Sequence, residues 1–340
     1  MIEKLSGKKN NIELTYCDLG IAYQCNFKCK MCKFWLDSPL NSNNILSIEQ
    51  WKDILKQLSE FVDIGNCVIN LSGSGEPLLR SGIFDLIKYG RSLGLKIQTI
   101  SNGSCVNNQI ATKIAESGLG FISFSLDSLK AETHDFMRGT DKACEGVLKA
   151  IENVATFSPN TCIGINTIIS GLNIDDIIDL TCWVENNKLI SYINFQAIAQ
   201  PFSYDKAPDV EWFKLEDYKN LWPQDKQKIK ETIDQLIALK EKGYKMIDDV
   251  AQFNVFKAYF LDPLRFIKKN KCNLAKAGIL NIDPSGNISK CQMVGIIDNL
   301  KSNKTLAEIC LSEQADKHIE LINKCKRNCH LVVSCHFDQE

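Results

Sequence analysis

Residues 25–32 read CNFKCKMC, three cysteines inside eight residues, separated by three and then two others. Zinc sites and iron–sulfur clusters take thiolate ligands, and both ordinarily want four. Three thiolates in one short loop can bind three irons of a [4Fe-4S] cube and leave the fourth iron an open position for a substrate or cofactor. The same loop can also serve a zinc knuckle. The chain holds 15 cysteines in all. Cys17, Cys67, Cys105, Cys144, Cys162, Cys182 and Cys310 stand singly in apolar or amphipathic segments, where a thiol packs as a small hydrophobe. The other eight are grouped: Cys25, Cys29 and Cys32; Cys272 and Cys291; Cys325, Cys329 and Cys335. In a reducing compartment such groups read as metal ligands and not mainly as disulfides.

The elements that must position these loops follow a repeating pattern. After a first strand in ELTYCDLGIAY (13–23), the helical pattern SIEQWKDILKQLSEF (47–61) opens with a capping box from Ser47 and Gln50 and leads to the apolar run CVINL (67–71). Four more pairs follow, ending in LKIQTI (95–100), FISFSL (121–126), CIGINTII (162–169) and YINFQAI (192–198). Six short buried strands alternating with helices predict a parallel sheet, closed or partly closed as a barrel, with its chemistry at the C-terminal strand ends. The three-cysteine loop leaves the end of strand one, where such a fold would put it. Past residue 200 the pattern loosens, then becomes strongly helical, and the later cysteine groups lie around NIDPSGNISKCQ (281–292), which supplies a hairpin turn around Gly286. This gives a barrel over 14–200, a helical connector of unassigned role over 201–265 and a small cysteine-bearing domain over 266–340.

A net charge of -1 gives no reason to expect a nucleic acid or membrane partner. With 44% hydrophobic and 24% charged residues the chain has the composition of a globular protein. No uninterrupted apolar run spans a bilayer, and the first residues lack a signal-peptide pattern, so a cytoplasmic location is expected.

With CxxxCxxC at the end of strand one of a six-strand βα chain, the sequence resembles the radical S-adenosylmethionine (SAM) superfamily. SGSGEPLL (72–79), after strand two, is similar to the glycine-rich segment of that family: Gly73 and Gly75 would let the backbone approach the methionine moiety of SAM, and Glu76 or nearby carbonyls would accept from its amino group. Ser74 stands where many members have glycine. TISNG (99–103) resembles the next family segment, with Ser101 and Asn102 contacting the ribose or supporting the carboxylate. Ser125 and Asp127, at the end of strand four, match a polar terminus facing the ribose. Arg138, in THDFMRG (133–139), matches an arginine that pairs with the cofactor carboxylate, and Met31 occupies a position near the adenine that is often aromatic. His134 is read as structural, at a helix cap or on the surface.

The resemblance implies a partial (β/α)6 TIM-like barrel, a SAM-binding [4Fe-4S] cluster, and reductive cleavage of SAM to methionine and a 5'-deoxyadenosyl radical that abstracts a substrate hydrogen. It also implies a low-potential electron donor of flavodoxin or ferredoxin type. Cys272, Gly286 and Cys291 resemble the opening of the SPASM or shorter twitch auxiliary-cluster domains, and Cys325, Cys329 and Cys335 approximate the later ligands. The thiolates are too few for two complete auxiliary clusters unless His330, His336 or substrate fills in, and Gln339 stands where a further ligand would fall. One auxiliary [4Fe-4S] cluster is expected, held by Cys272, Cys291 and two of the last three, Cys325 and Cys329 first. The substrate would be a small polar, sugar-like molecule or a peptide. Only about fifteen residues precede strand one, which argues mildly against a built-in peptide-recognition domain. Asn166, Thr167, Gln196 and Tyr204 are candidates for substrate contacts, and no side chain stands out as a general acid or base. The alternative is a non-catalytic zinc or iron–sulfur protein serving structure or electron transfer.

Overall fold

The computed structural model describes residues 14–36, 45–201, 209, 211–269 and 272–325. Six parallel strands, β1 (Tyr16–Ala22), β2 (Val68–Gly73), β3 (Lys96–Ser101), β4 (Phe121–Ser125), β5 (Cys162–Ile169) and β6 (Tyr192–Ala197), pair in sequence order. Between them run α1 (Ile48–Phe61), α2 (Ile83–Ser92), α3 (Asn108–Ser117), the pair α4 (Ala131–Arg138) and α5 (Ala143–Phe157), and α6 (Ile177–Asn186). This is the partial TIM-like barrel that the alternating pattern predicts. The α1 capping box forms as expected, with Gln50 N donating to Ser47 Oγ at 3.2 Å and Ser47 N to Gln50 Oε1 at 2.8 Å.

Because side chains alternate along a strand, the sheet has two unlike faces. Cys17, Leu19, Ile69, Leu71, Ile97, Ile122 and Phe124 are buried in one core with Trp51, Leu55, Leu86 and Val147 of the helices. Their neighbours in the strands, Tyr16, Asp18, Asn70, Ser72, Gln98, Ser123, Asn166 and Tyr192, take the opposite, interior face. A polar barrel interior is what a hydrophilic guest requires and an ordinary packed core avoids.

The strand count exceeds the expected six. β7 (Ile279–Ile282) lies parallel to β1 on its free side, and β8 (Asn287–Ser289) and β9 (Asp298–Asn299) extend the same sheet antiparallel. The described sheet is therefore open, with β6 and β9 at its edges. The turn between β7 and β8 is the one the sequence predicts: Asp283 Oδ1 accepts from Ser285 N and Asn287 N at 2.8 and 2.9 Å. Three helices, α7 (Lys226–Glu241), α8 (Val250–Leu261) and α9 (Pro263–Lys269), occupy the connector. The connector also covers the β6 edge. Ile193 N donates to Lys245 O at 2.8 Å, Ile247 N to Ile193 O at 2.9 Å and Phe195 N to Asp248 Oδ2 at 2.7 Å. These bonds satisfy groups that an open edge would expose. Beyond the hairpin, α10 (Leu306–Cys310) docks on α1, where Leu306 N donates to Gln57 Oε1 at 2.7 Å, and α11 (Glu313–Asn323) follows. No described helix is long and apolar enough to cross a membrane.

Candidate metal centre and cofactor site

The three-cysteine loop sits at the C-terminal end of β1 and is fixed from two sides. From β2, Glu76 N donates to Gln24 O at 2.8 Å. A Cβ on Gly75 would stand 2.2 Å from that same oxygen, and one on Gly73 2.5 Å from Ala22 O. Only glycine permits this approach, so the glycine-rich segment packs directly against the residues that lead into Cys25. From the other side comes α4. Lys30 N donates to Met137 O at 2.8 Å, and Gly139, left-handed at φ 66°, would put a Cβ 2.2 Å from Lys28 O.

Each sulfur meets an N–H donor. Phe27 N reaches Cys25 Sγ at 3.5 Å, the Phe34 amide bonds Cys32, and the Arg138 side chain bonds Cys29. Such bonds favour thiolate and tune clusters. Burial pushes all three thiols up, Cys32 to about 11, and they also raise one another: Cys29 acts on Cys25, and both act on Cys32. The thiols are therefore near neighbours. Three neighbouring thiols, each met by an N–H donor, form a donor set that fits an iron–sulfur cluster.

Several residues expected to touch SAM also brace the frame. Glu76 is 3% exposed; its Oε1 accepts from Ser101 Oγ at 2.8 Å and Leu78 N at 3.2 Å, and its Oε2 from Asn102 N at 2.8 Å. Asn102 in turn donates to Asn26 Oδ1 at 3.0 Å and accepts from Ser104. This chain of bonds ties the segment after β2, the segment after β3 and the cysteine loop into one unit. Asp127 is fully buried, with Oδ1 accepting from Ile168 N at 3.1 Å and Oδ2 lying 2.8 Å from an Arg138 nitrogen. It orients Arg138 and does not present itself at the strand end. Arg138 Nε is buried without a hydrogen-bond partner among the described residues, so the guanidinium keeps a donor for an anionic group. Ser125 stands on the interior face, paired in register with Asn166. Met31 is partly buried against the core.

Other candidates move. Thr167, with 1% exposure, donates to Leu126 O at 2.6 Å and belongs to the helix-facing side of β5, so it is no substrate contact. Asn166 accepts from Asn194 at 3.2 Å on the interior face, and Gln196 lines the barrel cavity. Tyr204 lies outside the described residues. His134 is structural but wholly buried, not capping or on the surface: its Nδ1 accepts from Asp127 N at 3.1 Å, and burial lowers it to about 3, hence neutral. Of the single cysteines, Cys17, Cys67, Cys144 and Cys310 are buried, whereas Cys162 is exposed.

A second thiol group gathers in the C-terminal part. Cys325 acts on Cys272 and both act on Cys291, and burial is the chief cause that raises Cys272 and Cys291. The Leu274 amide bonds Cys272, and the Met293 and Val294 amides bond Cys291. Cys329, Cys335, His330 and His336 lie outside the described residues. Sequence reading missed two neighbours. Buried His318 accepts from Cys291 N at 3.2 Å, and Lys290 Nζ donates to Ala277 O at 2.9 Å and Ala275 O at 3.3 Å. Neither carries a spacing signal, because each arrives from a separate element.

Residues 20–183 match the family model of the Radical SAM superfamily. The match takes in 164 of the 340 residues, just under half of the chain. That family implies SAM and a [4Fe-4S] cluster as cofactors. The AdoMet-dependent heme synthase of Methanosarcina barkeri is 33% identical over 155 residues, 45% of this chain and 42% of that protein. The GTP 3',8-cyclase of Helicobacter pylori is 29% identical over 228 residues, 65% of this chain and 66% of that protein. The chain thus spans under half the length of the heme synthase it matches. Among solved structures, Streptococcus suis SuiB bound to precursor peptide SuiA superposes with TM-score 0.67 at 14% identity, covering 98% of this chain and 74% of that one. The anSMEcpe structure with AdoMet and Cp18Cys peptide gives 0.64 at 18% identity, covering 91% and 84%. At these identities the likeness extends to the fold.

Proposed function

We propose that this protein is a radical SAM enzyme with one auxiliary [4Fe-4S] cluster, acting on a small polar molecule or a peptide by oxidation or rearrangement. The observation that carries the reading is the joint geometry of the first loop: three thiols, each met by an N–H donor, held between the β2 glycine segment and α4. Cys25, Cys29 and Cys32 would hold the cluster. When bound, the cluster would supply the electron that cleaves SAM to methionine and a 5'-deoxyadenosyl radical. With Glu76 already accepting three hydrogen bonds, backbone carbonyls of the Ser72–Gly75 segment would accept from the amino group of SAM, and Arg138 would donate to its carboxylate. Met31 and Ser125 would flank the nucleoside. Cys272, Cys291 and Cys325, with Cys329 as fourth, would hold the auxiliary cluster.

A cavity of about 420 Å³ links the two thiol groups, with Ser74 and Phe34 near the first and Cys291 in the second. Its size suits a small molecule or one side chain of a peptide. The relatives named for heme and GTP chemistry and the peptide-bound neighbours support that range without narrowing it. A flavodoxin- or ferredoxin-type donor would supply electrons, in a cytoplasmic setting.

The test is anaerobic reconstitution with iron and sulfide, followed by dithionite and SAM. About eight irons per chain, as two four-iron clusters require, together with 5'-deoxyadenosine are expected. Cys29→Ala abolishes the nucleoside. Zinc in place of iron, or cleavage retained in that variant, overturns the reading.

A further inference from the structure

Among the described residues, the barrel cavity contains one carboxylate not consumed by a turn or a cation. Asp18, on the interior face of β1, receives Asn70 Nδ2 at 2.7 Å and a hydrogen bond from the Ser72 side chain. Asn70 is itself 2% exposed and accepts from Gln98 Nε2 at 3.4 Å, while the Gln98 side chain also bonds Tyr16. The strands thus hold the Asp18 carboxylate through two neighbours, Asn70 and Ser72, with Gln98 bracing Asn70 behind them. Both are neutral donors. An ionised carboxylate offers about four acceptor sites, and two bonds leave the rest available.

The other charged groups lining the cavity are engaged elsewhere. Asp283 holds the hairpin turn through both oxygens. The Lys290 ammonium is given to the carbonyls of Ala275 and Ala277, and among the described residues no cation is found acting on Asp18. No arginine is found among the described lining residues, so the cavity lacks the forked donor that phosphate recognition favours. Burial raises Asp18, as follows for a carboxyl desolvated with no countercharge. A ligand that brings a positive charge repairs this deficit, whereas one that brings a phosphate worsens it.

We propose that Asp18 is the specificity residue of this cavity and anchors a primary ammonium group of the substrate. The inference rests on the reading of the cavity as the substrate site. The ammonium belongs to a free amino-substituted polar molecule or to a lysine side chain of a peptide, and both present the same group to the same carboxylate.

Two matched probe pairs separate these sources in isothermal titration calorimetry with the reconstituted full-length protein and SAM: glucosamine against glucose, and Nα-acetyl-lysine amide against Nα-acetyl-norleucine amide. In at least one pair the amine binds tenfold or more tightly than its partner, and the pair that does so names the source. Asp18→Asn abolishes the difference, and Asp18→Glu retains part of it. An amine preference under tenfold in both pairs, including no binding by any probe, overturns the proposal. So does an undiminished preference in Asp18→Asn or, should that variant fail to fold, in Asp18→Glu. Assaying 5'-deoxyadenosine in the same preparations separates the two readings. Amine preference without SAM cleavage defeats the radical reading alone, and cleavage without amine preference defeats this inference alone.

Discussion

Asp248 holds the β6 edge through Phe195 N, and burial raises its carboxyl to about 6, above an unfolded value near 4. The folded state therefore binds the extra proton between those values. Its stabilising contribution is full below about pH 4 and is lost as pH rises through about 6, a change on the order of 2–3 kcal/mol. Asp248→Asn keeps an oxygen for Phe195 N and removes the titration. Thermal melts across pH 4–7.5 are expected to show the variant losing less stability than the parent over this window, and standing at least level with it at pH 7.5. Gly75 makes a steric prediction at the same scale. With Gln24 O 2.2 Å from any added Cβ, Gly75→Ala forces backbone apart at the entrance to the cysteine loop. Iron per chain falls and 5'-deoxyadenosine formation drops at least a hundredfold. The sequence pointed to Gly75 as a place where backbone approaches something. It named the methionine moiety of SAM; what it did not reveal is that the chain leading from β1 into Cys25 also presses there, a neighbour some fifty residues away.

Among the elements, α4 has the least obvious task. Sequence reading assigned Arg138 near its end to the cofactor and His134 to a structural role, yet the helix also clamps the cysteine loop through Met137 O and the close pass of Gly139 under Lys28 O. Gly139→Ala strains a left-handed residue by about 1 kcal/mol or more and collides with backbone. The expected outcome is partial loss of the first cluster with the second retained, read as iron falling from about eight toward four per chain. The helices and strands themselves were legible, because period and capping residues are local signals: Ser47 and Gln50 announce α1, and the β-branched runs announce β2 to β6. The partners of Asp127 were not legible, for the opposite reason. Its place at a strand end is local, but its orientation is set by Arg138 and the Ile168 amide, which come from different elements.

At the scale of the whole molecule, β7 joins the barrel and the cysteine-rich part into one sheet. β7 supplies hydrogen bonds to β1 over Tyr16–Leu19, and Leu280 and Ile282 are buried in the main core. A chain ended at residue 269 exposes the β1 edge and that core. Gel filtration is expected to find it aggregated and not as a monomeric barrel, since an unprotected central strand invites pairing between chains. The sequence by itself determined the alternation of strands and helices, the three-thiolate loop at the end of β1, the hairpin around Gly286 and the grouping of the eight clustered cysteines. These are written in spacing and periodicity, and a chain cannot easily satisfy them otherwise. Only the tertiary structure decided that Glu76, Ser101 and Asn102 brace one another, that Arg138 reaches Cys29, that Cys325 meets Cys272 and Cys291, and that Asp18 stands in a cavity with neutral neighbours. Each of these depends on which residues distant in the chain become adjacent, and adjacency is set by how sheet and helices pack.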